Sequence, residues 1–372
     1  MAILTEEQNM LRDAAREWTQ HSSPVSEFRK LRDAKTPGGF KRDTWKEIAD
    51  LGWSGIIVPE AYGGVDMGLQ TLGLALEETG RTLTASPLIS TALCATSALV
   101  LGGSEAHKQH WLAKIVRGEA VGALAIDESA HHAPTQVALE AKHVGESWRL
   151  FGHKRFVLDG ALADFFIVSA RTTGGVTLFL IPANAAGVSA RSLAMADSRG
   201  MADVSFDNTP AGSLDIIGQV DHGMHILEST LDRARAGLAA EMLGMAQQAF
   251  DVTLEYLKTR MQFGKLIGSF QALQHRAAKM FVELELSRSC VEAALKALDA
   301  QATNASLLAS LAKARMGDTL HLVTNETVQM HGGIGMTDAH DAGLYLKRAR
   351  VAEATFGGAA FHRDRYARLQ GY

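Results

Sequence analysis

Apolar residues along this chain recur at two different periods, and the period changes twice. Up to about residue 120 it is helical. Leu4, Leu11, Ala14, Ala15 and Trp18 share one face, Thr5 stands where an N-cap belongs, and Glu6 and Glu7 fill the first turn. Further helical segments are predicted over 45–51, 69–79 and 106–117, divided by linkers marked with Pro or Gly: TPGGF (36–40), PEAYGGVDMG (59–68) and ASPL (85–88). Between about 121 and 215 the apolar runs shorten to WRLFG (148–152), RFVLDG (155–160), FFIVSA (165–170), VTLFLIP (176–182) and ADVSFD (202–207), the lengths of strands. VTLFLIP is nearly continuous in apolar residues, as a strand covered on both faces would be, whereas ADVSFD alternates. After about 222 the helical period returns over 222–260, 269–301 and 303–331. No Pro follows Pro210, so an antiparallel bundle of long helices is expected.

The order helices, strands, helices defines an α+β multidomain chain. Its expected parts are an N-terminal α-helical domain over 1–120, a middle β domain over 121–221 and a C-terminal helical bundle over 222–372. A length of 372 residues exceeds what one ordinary core serves. The longest uncharged run, 82–104, could in principle span a bilayer. It contains Ser86, Pro87, Ser90, Thr91, Thr96 and Ser97, and is read as a buried helix with a polar entry loop.

Composition narrows the partners. With 37 Lys and Arg against 41 Asp and Glu, the formal charge of -4 favours neither nucleic acid nor an anionic membrane. Cys94 and Cys290 are the only cysteines, too few for a disulfide framework or a thiolate metal site, which fits a reducing compartment. The first residues lack an apolar secretory core, so a cytoplasmic location is expected.

The sequence has no GxSxG elbow, Walker A loop, HExxH or GxGxxG motif. His131 and His132 are adjacent and point different ways, so no metal site is expected there. The charges in KRARVAE and FHRDRYARL, from Lys347 on, read as a solvated helical face. HGGIGMT (331–337) follows a helix and predicts a C-terminus closed by Gly332 or Gly333. The segment RMQFGKLIGSFQALQHRAA (260–278) carries more chemistry: Arg260, Phe263, Gly264 and Lys265 interrupt two long helices, and Gln271 opens the second. Such a junction can hold an anion on the Arg and the new helix N-terminus. It can equally be a corner stapled by Phe263 and Phe270.

These motifs, with LTEEQ (4–8), GWSGIIVPEAYGG (52–64), LEETGR (76–81) and TVQMHGGIGMT (327–337), resemble the acyl-CoA dehydrogenase family along essentially the whole chain. The resemblance implies a helical N-terminal domain, a β-barrel-like middle and a C-terminal four-helix bundle, with FAD between the last two. It implies oxidation of an acyl-CoA to a 2-enoyl-CoA: a carboxylate removes the α-proton while hydride passes to the flavin, and an electron-transfer flavoprotein accepts the electrons. The assembly implied is a homotetramer or an α2β2 tetramer with a homologous subunit. Arg260, Phe263 and Gln271 match the family's residues at the diphosphate and adenine half of a neighbour's FAD. Gln329, Gly332 and Gly333 match its Q-x-x-G-G turn.

The chain departs from the family at the base. The commonest base precedes Gly-Thr near the C-terminus, where FGGAA (356–360) places Gly357. The second known location, in LDxER, is Ala234 of LDRAR. The flavin loop TEPxAGSD is replaced by DESAHHAP (127–134), and the aromatic and hydroxyl beside the flavin become Phe156 and Leu158. The remaining candidate base is Glu241, about 10 Å along the helix from Ala234 among Leu238, Ala240, Met242 and Leu243. Such a carboxylate can serve as base, line an acyl pocket, or be held by a buried Arg. Two functions follow. One is an FAD-dependent acyl-CoA dehydrogenase, with room at 356–360 for a bulky acyl group. The other is a catalytically degenerate subunit that contributes FAD contacts but no base.

Overall fold

A computed structural model describes residues 4–372. Thr5 caps α1 (Glu6–His21) through a reciprocal pair with Gln8: the hydroxyl accepts from the Gln8 amide at 3.2 Å and the Gln8 side chain accepts from the Thr5 amide at 3.1 Å. Three more helices follow, α2 (Val25–Asp33), α3 (Arg42–Asp50) and α4 (Gly68–Arg81). The uncharged run is helical, a π-helical stretch Leu88–Ala95 continuing as α5 (Thr96–Gly102), and it is buried from Leu88 through Leu99. No described helix is long and apolar enough to cross a membrane. Short segments α6 (Glu105–His107) and α7 (Ala113–Val116) close this part.

The middle of the chain forms an eight-stranded sheet: β1 (Gly122–Ala125), β2 (Glu140–Val144), β3 (Ser147–Leu158), β4 (Phe165–Arg171), β5 (Val176–Pro182), β6 (Val188–Ser192), β7 (Met201–Ala211) and β8 (Ile216–Ile217). Its order is β6-β7-β3-β2-β4-β5-β8, with β1 parallel to β4. β2 touches β4 through the single pair Glu140–Arg171, and apolar side chains of both halves meet in one core around Leu150, Phe166, Phe179 and Phe206. β5 is buried along its length and β7 alternates, as their patterns predict. WRLFG and RFVLDG, separate runs in the sequence, are one strand, β3, with register shifts against β7 on either side of Lys154. The polar break between them is deceptive because Lys154 points inward, its ammonium held by Ile126 O at 3.1 Å, Ser169 Oγ at 3.0 Å and Glu128 at 2.7 Å.

The C-terminal part consists of α8 (Gly223–Thr259), α9 (Gln271–Asp299), α10 (Ala305–His331), α11 (Ala342–Ala354) and α12 (Ala359–Leu369). By contact the chain divides into two compact units. One holds the chain up to Arg29, Gly73–Thr84 and Arg235–Tyr372; the other holds Lys30–Leu72 and Ala85–Ala234. Within the first unit α4 and α8 meet backbone to backbone. A Cβ on Gly80 would lie 2.1 Å from the Glu241 carbonyl, and one on Gly244 would lie 1.8 Å from the Glu77 carbonyl, so any larger residue would force the helices apart. Within the second unit, the Thr91 hydroxyl donates to Gly122 O at 3.0 Å and accepts from Gly122 N at 3.1 Å, fixing the buried helix against β1.

Candidate functional site

The bundle gathers one set of sequence-selected residues at a single end. α8 stops at Thr259, and a small hairpin of β9 (Met261–Gln262) and β10 (Lys265–Leu266) turns through Phe263 and Gly264, with φ of 53° and 78°. Two successive positive φ values make the tight turn that Gly at the second place allows. Phe263 is 89% exposed and rests edge-on against Phe270, with ring centroids 6.1 Å apart, while Lys265 Nζ lies 4.4 Å above the Phe270 ring. The staple anticipated from the sequence is therefore present, and it leaves Arg260 and Gln271 exposed.

The end of α10 lies beside this hairpin, because Tyr256 stacks on His331 at 4.4 Å and Arg276 of α9 pairs with Glu326 at 2.5 Å. Gln329 is exposed, Gly332 ends the helix with φ of 64°, and a Cβ on Gly332 or Gly333 would meet no atom within 4 Å. An exposed guanidinium, an exposed aromatic ring, two amide side chains, a helix start and open backbone thus lie at the same end of the bundle. That set can bind a phosphate-bearing ligand with an aromatic base.

The candidate base lies elsewhere. Glu241 is 18 residues before the end of α8, about 27 Å along its axis. It is buried, and both its oxygens accept from Arg348 Nη2 of α11, at 3.0 and 3.2 Å. Of the roles open to Glu241 in the sequence, the structure shows the pairing with a buried Arg. It also corrects the reading of KRARVAE as a solvated face, since Arg348 is only 4% exposed, on a helix that buries Leu344, Tyr345 and Ala349 beside it.

Neither family position for the base carries a carboxylate. Ala234 is fully buried in α8. Gly357 stands in a turn where Phe356 and Gly357 have φ of 56° and 103°. A Cβ on Gly357 would fall 2.5 Å from Phe361 Cδ1 and 3.0 Å from His362 Nε2. The room that a Gly-rich 356–360 suggested for a bulky acyl group is, at Gly357, filled by the first turn of α12.

Lys313 was missed in the sequence, where it reads as one more polar residue of a helix. It is buried in α10, and its ammonium donates to the carbonyls of Ala352, Glu353 and Gly357 at 3.0–3.1 Å, completing the C-terminus of α11. Burial pushes its pKa down to about 7 and Arg235 adds to this, although Glu353 opposes it. The unfolded chain holds a proton up to the ordinary value of 10.5, so between those values the unfolded state binds more protons. Wild-type protein is therefore expected to gain stability over Lys313→Met by about 1.4 kcal/mol per pH unit as pH rises through this window, measured by urea unfolding.

The β unit holds the segment that replaces the family's flavin loop. Asp127 accepts from His132 Nδ1 at 2.9 Å and from the Ala133 amide at 3.2 Å. Glu128 accepts from Lys154 and from the amides of Ala138 and Leu139 at 2.8 and 3.0 Å. The loop's carboxylates are thus satisfied within the unit. Phe156 is partly exposed beneath the Arg155 guanidinium at 5.0 Å, and Leu158 offers no hydroxyl. The bundle end fits the diphosphate and adenine half of FAD; the β segment lacks the hydroxyl donor that the family places beside the flavin ring.

Comparison with known proteins accords with this architecture. The family models described as acyl-CoA dehydrogenase N-terminal, middle and C-terminal domains match residues 5–119, 127–209 and 221–370. The chain is 31% identical to mitochondrial isovaleryl-CoA dehydrogenase of Pongo abelii, over 97% of this chain and 88% of that protein. Among solved structures it superposes on a chain of the ChsE4-ChsE5 complex from Mycobacterium tuberculosis with a TM-score of 0.91 and 26% identity, covering 100% of this chain and 99% of that one. A variant of the Tcur3481-Tcur3483 steroid acyl-CoA dehydrogenase gives a TM-score of 0.90 and 31% identity, each chain covered to 98%. The chain belongs to the acyl-CoA dehydrogenase family, with helical N- and C-terminal domains and a sheet domain between them in sequence. The family catalyses acyl-CoA dehydrogenation and its members bind FAD.

Proposed function

We propose that this chain is the base-free subunit of a two-subunit acyl-CoA dehydrogenase. It supplies Arg260, Phe263, Gln271, Gln329, Gly332 and Gly333 to an FAD held mainly by a homologous partner. The partner contributes the α-proton base and passes electrons to an electron-transfer flavoprotein. The observation that carries this reading is the Phe356–Gly357 turn, which has no carboxylate and no space for a side chain at Gly357. Glu241 engaged with Arg348 supports it, and so does likeness to a solved complex of two named chains. In this role Arg260 neutralises diphosphate charge, Phe263 covers the adenine face, and Gly332 and Gly333 let backbone approach the cofactor. When bound, FAD supplies the electron sink for the hydride.

The test is the visible spectrum of the chain alone and co-expressed with a homologous subunit, each with acyl-CoA added without oxygen. The expected result is a chain that is nearly colourless alone and a yellow complex that bleaches. Within that complex Arg260→Ala should weaken FAD retention by about 10- to 100-fold, the loss of a charge-assisted phosphate contact. A flavin-replete homotetramer that bleaches by itself would overturn the proposal. It would establish the other reading, an active dehydrogenase in its own right, which full-length likeness to isovaleryl-CoA dehydrogenase favours.

A further inference from the structure

His331, the last residue of α10, is 3% exposed and lies between two other rings. Tyr256 of α8 stacks on it at 4.4 Å, and His340, from the segment leading into α11, lies at 4.2 Å. Its Nδ1 donates to the Thr327 carbonyl at 2.7 Å, which fixes the neutral tautomer with the lone pair on Nε2. That Nε2 is buried and has no hydrogen-bond partner among the described residues. The short helical turn Gly332–Met336 packs back against the end of α10, since a Cβ on Gly335 would stand 2.9 Å from the His331 Cβ and 2.8 Å from the Val328 carbonyl.

A proton on Nε2 would add an N–H with no acceptor and a charge with no counter-ion in contact. The groups packed around the ring do not supply one. α8 presents the neutral Tyr256, and His340 engages the Ala342 amide through Nδ1 at 3.1 Å. Asp338 and Asp341, near His340, face Arg29 at 3.4 and 2.7 Å. On α9, Arg276 is matched by Glu326. Burial, and then His340, hold His331 below the ordinary imidazole value of 6.5, against the bond to Thr327. The open state, with the ring in water, takes a proton more readily than the closed one, so acid favours opening.

We propose that His331 is an acid-sensitive switch: its protonation releases the Gly332–Met336 turn and the His340 segment from the end of the bundle. This turn carries the backbone assigned above to the cofactor, so on that reading acid also loosens the flavin contact. The switch itself needs no cofactor.

The test is amide hydrogen exchange of the full chain without added FAD, from about pH 7.5 to about pH 5, corrected for intrinsic rates. Protection of residues 332–340 should fall by about tenfold while the interior of α10 holds. In His331→Gln the same amides should show no pH dependence. In case that variant fails to fold, His340→Asn, which removes the neighbouring imidazole, should flatten the fall in a chain that keeps His331. Flat protection in wild type, or a fall as steep in His331→Gln, would overturn the switch. Either result would leave the subunit reading untouched, since no flavin takes part.

Discussion

Arg348→Met is expected to lower the free energy of unfolding by about 3–5 kcal/mol, the cost of removing one partner from a buried ion pair. Arg348 and Glu241 are each only 4% exposed, and the carboxylate sits in a stretch of α8 buried all round, among Leu238, Ala240, Met242 and Leu243. Without the guanidinium, its charge must be kept at high cost, neutralised or hydrated by local opening. Replacing both partners by apolar groups of similar volume, Glu241→Leu with Arg348→Met, should recover most of the loss, because no buried charge then remains. Urea midpoints of the two single variants and the double variant measure this coupling. If Arg348→Met costs less than about 1 kcal/mol, the pair is not the buried anchor of α8 and α11. Glu241 is then again a candidate for chemistry, to be tested with Glu241→Gln.

The second large effect is expected at Gly357. Gly357→Glu writes the family's base back into the chain, yet it should destabilise the protein by about 2–5 kcal/mol and confer no acyl-CoA dehydrogenation. A φ of 103° is a region that side-chain-bearing residues occupy only under strain, worth about 1–3 kcal/mol. The new Cβ would also meet Phe361 at 2.5 Å and His362 at 3.0 Å, so α12 would have to move. Lys313 holds the Gly357 carbonyl at 3.0 Å and limits how the turn can adjust. Gly357→Ala separates the causes: it carries the strain and the clash without the carboxylate, and should account for most of the loss. Thermal unfolding and anaerobic flavin reduction by acyl-CoA are the two readouts. A stable Gly357→Glu protein that bleaches flavin would mean that a single substitution had silenced an otherwise complete site.

These two sites differ in exposure from the surface proposed to meet the flavin. Arg260, Phe263, Gln271 and Gln329 are exposed at one end of the bundle, where substitution should change cofactor binding with little effect on stability. Glu241, Lys313 and Arg348 are buried within the helices, where substitution should do the reverse. On the proposed function, that contrast would separate residues that serve a cofactor from residues that hold this chain's own core.

Much of this was legible in the sequence. The three long helices fell where period and the lack of Pro after Pro210 placed them, because helical hydrogen bonds and the apolar stripe are local properties. The Thr5 cap, the buried uncharged run, the Phe263–Phe270 staple and the helix stop at Gly332 were likewise written in short stretches. What tertiary structure alone decided was which polar groups turned inward and what they met there. The Arg partner of Glu241 is 107 residues away on α11, and the carbonyls that hold Lys313 are 39–44 residues away. Lys154 turned a polar break into the middle of one strand by meeting Glu128 from another segment. No periodicity reports such pairings. A buried charge is stable only when chain segments far apart in sequence converge on it, and that convergence is a property of the packed molecule.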